Sequence, residues 1–208
     1  MEGEKRLRSE HTRQAILHAA KALFIQYGYN GTSMRRIARK AGVALGGIYN
    51  HFGSKEAIFH ALLREHMPYP RLIAALNEIP DNNGPQMLAE GFTRVQAIAC
   101  EYVDFFALAL TDMREFQGRT VRELVREMIP EYMRFLARAQ AAGGLREDVP
   151  LPIFLRFIVS VTIGFLVTAL VGYAGDEPLL PGLPTGSEAR RHMMQLLLEG
   201  IAAPEGKR

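Results

Sequence analysis

Tryptophan is absent from this 208-residue chain, and cysteine occurs once, at Cys100. A lone cysteine closes no internal disulfide and supplies no thiol pair for a zinc knuckle. A disulfide-stapled secreted scaffold is therefore excluded, and a reducing cytosol is the compartment that fits. The opening Met1-Glu2-Gly3-Glu4-Lys5-Arg6 lacks the basic-then-apolar layout of a secretory signal, so no export is expected. Enzyme signatures are missing too. There is no Gly-x-Ser-x-Gly, no His-Glu-x-x-His, no glycine-rich phosphate loop before Lys-Ser/Thr, and no strand pattern to hold one. Glu56 and His60 stand four apart on one helix face, but two ligands with no evident third do not make a metal site. No catalytic residue, cofactor or metal is expected. No internal repeat and no low-complexity tract appears.

What is present is a core's worth of apolar residues, 48%, with 23% charged, which excludes a disordered tail or a collagen-like fibre. The net charge of +3 is unevenly placed. Residues 1–66 hold 11 Lys and Arg against 5 Asp and Glu, giving +6; residues 67–208 hold 14 against 17, giving −3. A compact basic segment on an acidic body points to a polyanion partner for that segment alone.

Residues 157–175 form a run of 19 without a charge, close to the roughly 20 that span a bilayer. Ser160, Thr162, Gly164 and Thr168 interrupt it, and no basic cluster or Trp belt flanks it. The preferred reading is a helix buried on nearly all sides between a core and a partner subunit, with no membrane.

The periodicity elsewhere is helical and the expected class is all-α. Ile16, Ala20, Leu23, Phe24 and Tyr27 make one stripe of a helix over about 12–27, which Gly28 stops. Ser33 caps a helix over 34–41 that Gly42 ends, a second short helix runs over about 44–51, and Ser54 caps another to about His66. Pro68 and Pro70 break the pattern, which sets an expected boundary between a head, 1–66, and a larger helical domain, 67–208. Beyond it, helices are expected near 71–79, 85–114, 118–142, 151–173 and 187–202.

The pair 34–41 and 44–51, joined by Ala41-Gly42-Val43 and buttressed by the helix before it, reads as a helix-turn-helix, whose second helix enters the DNA major groove. Arg35, Arg36 and Lys55 sit at helix N-terminal ends, where the dipole disfavours cations unless a phosphate lies opposite. Gly46 and Gly47 cost roughly 1 kcal/mol each in a helix interior, a cost with a purpose only if a base edge or sugar-phosphate wall approaches closely. Tyr49 and His51 can donate to phosphates, Asn50 can meet an adenine edge, and Leu45 a thymine methyl. The competing reading for Tyr49, His51 and Leu45 is ordinary surface packing.

Phe24, Gly28, Thr32-Ser33, Ile37-Ala38, Ala41-Gly42-Val43, Gly46, Ile48-Tyr49, His51-Phe52 and Ser54-Lys55-Glu56 recur at the spacing of a known head. Residues 12–63 resemble the DNA-binding domain of the TetR/AcrR family of bacterial transcriptional regulators. The resemblance implies that Thr32, Tyr49, His51 and Lys55 anchor phosphates, while Arg35, Leu45, Gly46, Gly47 and Asn50 face base edges; Ser33 and Arg36 complete the candidate DNA-binding set. Ala44 departs from the family's Ser or Thr, removing a cap, and Gly47 stands where a side chain is usual.

The resemblance further implies a homodimer joined through about 151–173 and 187–202, a palindromic operator near its own gene, and release by an unknown small, largely apolar effector. Candidate pocket walls are Phe92, Phe105, Phe106, Leu110, Met113, Phe116, Met128, Met133 and Phe157, against the simpler reading that such a stripe is plain core. Glu101, Asp104, Asp112 and Glu115 would select a cationic ligand only if one faced inward. Cys100 reads better as a buried small hydrophobe than as an oxidant sensor. The expectation is thus a cytoplasmic, ligand-responsive repressor.

Overall fold

The computed structural model describes residues 2–143, 145–172 and 186–201. The described residues form helices α1 (Glu2–Tyr27), α2 (Met34–Ala41), α3 (Leu45–Tyr49), α4 (Lys55–His66), α5 (Tyr69–Asn77), α6 (Gly84–Glu101), α7 (Val103–Glu115), α8 (Arg119–Ala141), α9 (Leu151–Gly172) and α10 (Gly186–Ile201), with no strand among them. The class is all-α.

Local chemistry sets the boundaries in the first third. Gly28 takes φ +69°, a left-handed conformation that halts α1. The Ser33 hydroxyl accepts from the Arg36 amide at the start of α2, and Gly42, φ 69°, closes it by donating to the Ala38 and Arg39 carbonyls. Ser54 caps α4 by accepting from the Ala57 amide. Ala44 offers α3 no side-chain cap.

Two differences from the expected helices stand out. α1 starts ten residues early, because its first three turns are charged and carry no apolar stripe to announce them. The single helix expected over 85–114 is two, interrupted at Tyr102 (φ −111°, ψ 34°) without a Gly or Pro. Packing explains the break. The chain divides into two compact units, one of Met1–Met67 with Tyr102–Glu127, the other of Pro68–Glu101 with Met128–Arg208, so Tyr102 marks a passage between units. The head's helices therefore share a unit with α7 and the first part of α8.

The core of the first unit holds Ile16, Ile37, Ile48, Ile58, Phe59 and Leu62, none of them exposed, with Phe105 and Leu108 added from α7. Phe59 sits at its centre, 5.4 Å edge-on to both Phe24 and Tyr29 and 5.3 Å from Phe116. The second unit packs Leu76, Met87, Leu88, Phe92, Phe135 and Phe154. There α6 and α8 approach so closely that a Cβ on Gly91 would stand 2.7 Å from the Phe135 ring.

His66, at the end of α4, donates from Nδ1 to the Leu62 carbonyl. Burial pushes its pKa below the ordinary value, and Lys21 adds to the shift, against the Leu62 carbonyl, Glu65 and Asp104. With the folded pKa depressed, the unfolded chain takes up this proton first as pH falls. The contribution is thus present above about pH 6.5 and lost below it. The urea midpoint is expected to fall between pH 7.5 and 5.5, and His66→Gln to flatten that decline; equal slopes in both proteins would contradict this assignment.

Candidate nucleic-acid interface

The turn between α2 and α3 is fixed by the Val43 amide donating to the Ala38 carbonyl, 3.0 Å. Ile48, wholly buried, pins the five-residue α3 to the core. Arg35, Leu45, Gly46, Tyr49 and Asn50 are exposed, and Gly47 and His51 are half-buried. Tyr49 is 52% and Leu45 36% exposed, so neither is spent on packing within the chain.

Other members of the candidate set are engaged internally. Thr32 is 2% exposed, and its hydroxyl donates a hydrogen bond shared between the carbonyls of Leu23, 3.1 Å, and Gly28, 2.9 Å. The Lys55 ammonium donates to the carbonyls of Tyr29 and Thr32, both at 2.8 Å, and lies 4.0 Å from the Tyr29 ring centre. Burial lowers its pKa, and Glu115 opposes that shift. Arg36 donates to the Gly31 carbonyl and places its guanidinium 4.0 Å over the Tyr27 ring. These three side chains tie the 28–33 connection to α1 and α4. What α4 offers an anion at this point is its backbone, since the first amides of a helix have no carbonyl acceptor within it.

Gly46 and Gly47 have nothing within 4 Å of where a Cβ would stand, and neither takes a positive φ. Nothing inside the chain requires glycine at either position.

The geometry of the head agrees with a family match. Residues 16–62 match the model of the bacterial regulatory proteins of the tetR family. The chain is 31% identical over 160 residues to the HTH-type transcriptional repressor AcnR of Corynebacterium diphtheriae, covering 74% of this chain and 78% of that one. The chain belongs to the tetR family. Similarity extends to the transcriptional repressor Rv1474c of Mycobacterium tuberculosis, 27% identical over 80% of this chain and 84% of the relative. Among solved structures, the fold is shared with a Clostridium perfringens protein described as a fatty acid metabolism regulator, TM-score 0.70 at 22% identity over 91% of this chain and 99% of that one. It is shared also with the ketosteroid transcriptional regulator KstR2 of Mycobacterium tuberculosis, TM-score 0.60 at 24% identity over 92% and 95%. As a tetR-family member the protein is a DNA-binding transcription regulator and not an enzyme.

The nine candidate pocket residues are divided between the two units. Phe105, Phe106 and Phe116 belong to the core of the first unit, while Leu110 and Met113 on the same helix or unit are 65% and 55% exposed. In the second unit Met128 and Met133 are half-buried and Phe157 is 46% exposed. Phe92 alone among the nine lines a small apolar cavity in that unit, with Leu76, Leu88, Val95, Tyr132 and Phe135 among its other walls. The helix break at Tyr102 coincides with the division: α6 packs in the core of the second unit and α7 in that of the first.

The acidic residues are likewise committed. Glu101 pairs with Arg71, Asp104 with Lys21 at 2.7 Å, and Glu115 with Asn30 and Arg114; Asp112, fully buried, accepts from the Val121 amide. Glu56 accepts from His60 and pairs with Arg119, and the described residues contain no group of three metal-ligating side chains. Cys100, expected buried, is exposed. No helix among the described residues is long and apolar enough to cross a membrane. The charge-free run lies on α9 up to Gly172; its last residues, 173–175, fall outside the described ones.

Sequence spacing gave no sign of Tyr29, whose carbonyl and ring receive Lys55. Removing that cation as Lys55→Met leaves two carbonyls without their donor, a loss of about 1–2 kcal/mol, and Thr32→Val costs about 1 kcal/mol by the same reasoning. Urea denaturation at pH 7 measures both; wild-type midpoints would show that these contacts do not hold the head.

Proposed function

We propose that the protein is a cytoplasmic repressor that binds a palindromic operator near its own gene as a homodimer, and that a small, largely apolar ligand releases it. Arg35, Leu45, Gly46, Gly47 and Asn50 face base edges in this reading. Tyr49, His51 and the backbone at Thr32 and Lys55 meet phosphates, while Ser33, Arg36 and the Lys55 side chain hold the surface in shape. The head, 1–66, reads DNA, and the remainder, 67–208, dimerises and takes the ligand.

The observation that carries the DNA-binding face is the pair of unencumbered glycines. Two glycines with open space around them and ordinary backbone angles weaken a helix without any internal return. Close approach by another molecule supplies the return, and the basic excess of residues 1–66 selects a polyanion. Repression is supported by the names borne by the relatives. Dimerisation through 151–173 and 187–202 is supported by α9, where Ile153, Phe157, Ile163 and Val167 are all between 46% and 54% exposed on a single chain. An apolar face of that kind suits a two-fold seam, and a two-fold protein reads a palindrome.

The test separates folding from recognition. Gly46→Ala and Gly47→Ala are expected to raise stability by about 0.5–1 kcal/mol each in urea, because nothing collides with the added methyl. The same variants are expected to bind the DNA upstream of the gene at least about tenfold more weakly, the added methyl standing where a groove wall must sit; tenfold corresponds to about 1.4 kcal/mol. Tyr49→Ala should weaken binding to every sequence while leaving the salt slope near its wild-type value, since a neutral hydroxyl displaces no counterion. Wild-type affinity in all three variants, followed by fluorescence anisotropy, would place the DNA elsewhere.

A further inference from the structure

We propose that the second unit takes an uncharged, predominantly apolar molecule bearing a carbonyl or hydroxyl oxygen, and that the side-chain amide of Gln96 is the group that recognises that oxygen. The inference rests on the reading of the protein as a ligand-released regulator and adds the chemical class of the ligand.

Gln96 is fully buried on α6, and neither its Nε2 nor its Oε1 has a hydrogen-bond partner. A primary amide offers two donors and an acceptor with two lone pairs, so a dry amide left unmade is among the more costly features a core can contain. Leu or Met would fill the same volume without that cost. Since the side chain is sealed from solvent, a surface contact or a second copy of the chain does not reach it. A ligand that satisfies it has to enter the unit.

A place to enter lies alongside. Gln96 directly follows Val95 and stands one turn beyond Phe92, and both of those residues line the unit's cavity. The cavity is about 20 Å³, the size of one water, and bounded by Leu88 on the same helix and by Leu76, Phe135 and Ile158 on neighbouring helices. It widens only by side-chain movement, which apolar contacts permit more readily than a hydrogen-bonded wall. Among its lining residues none carries a charge. Tyr132 is the lining side chain with a polar atom, and burial pushes its pKa up to about 12, so it stays a neutral hydroxyl. With no cation to neutralise a carboxylate and no anion to meet an ammonium, a charged ligand would pay its full desolvation cost there. A ketone, lactone, ester or alcohol on a hydrocarbon frame would not, and its oxygen would satisfy the amide.

Two measurements on the full-length protein test this. Without ligand, Gln96→Leu and Gln96→Met are expected to raise Tm by about 2–5 °C, since each removes an unpaired buried amide at similar volume. In ¹H–¹⁵N spectra, cyclohexanone and cyclohexanol are expected to shift the Gln96 side-chain NH₂ signals saturably, the signals being identified by their loss in Gln96→Leu. Cyclohexane and cyclohexanecarboxylate are expected to leave those signals in place, and Gln96→Leu to lose at least a tenfold preference for the ketone over the hydrocarbon. An unchanged or lowered Tm in both variants would mean that an enclosed water or another group already satisfies the amide, and would overturn the proposal. So would NH₂ signals that fail to move with ketone or alcohol, or that move equally with the carboxylate. Neither measurement involves DNA, so a failure here leaves the DNA-binding assignment standing, and a failure of that assignment leaves this result readable.

Discussion

Leu45–Tyr49 is too short a helix to hold its own shape, because nucleation costs more than one turn of hydrogen bonds returns. Its orientation is borrowed from the surface beneath it. Ile48 enters a core whose centre is Phe59, and Phe59 meets Phe24, Tyr29 and Phe116 at ring distances of 5.3–5.4 Å. Those four rings come from α1, the connection after it, α4, and the end of α7. The helix proposed to meet DNA is thus fixed by contacts that include Phe116, far along the chain. Any change that loosens this aromatic cluster moves the reading surface before it touches a DNA-facing side chain.

The basic residues of the head divide by task. Lys55 and Arg36 use their charge to collect the carbonyls of Tyr29, Thr32 and Gly31, each with an aromatic ring against the cation. Thr32 does the same with its hydroxyl. Such contacts hold a connection without regular structure in one conformation, which positions the first amides of α4 and the start of α2, where Arg35 is exposed. Stability is given up at Gly46 and Gly47, where bare backbone is left facing outward. In the proposed reading local stability and recognition oppose one another within a few residues.

Legibility in the sequence followed the range of the interaction. Ser33, Ser54, Gly28 and Gly42 were readable because caps and left-handed stops act over three or four residues. The all-α class was readable from periodicity, and the head from seventeen residues at fixed spacing. The break at Tyr102 was not, since no Gly or Pro marks it and its cause is that α7 packs with the head. For the same reason the aromatic and Met stripe, read as candidate pocket walls or plain core, is distributed between two cores and the surface. The side chains of Thr32 and Lys55, matched to a phosphate-binding pattern, turn to carbonyls that no spacing rule reveals. Gln96 did leave a trace, a lone amide between Phe92 and Ala99 on an otherwise apolar face of α6, but its lack of partners is visible only in three dimensions.

The central claim is that a two-fold pair of these heads reads specific DNA through the surface built on α3. Selection of bound duplexes from a random pool, using the intact protein at near-physiological salt, tests it most directly. The account predicts enrichment of a palindrome whose half-site centres lie about one helical turn, 34–36 Å, or a multiple of it apart. Enrichment of a single unsymmetrical site, or of no sequence above the starting pool, would contradict it.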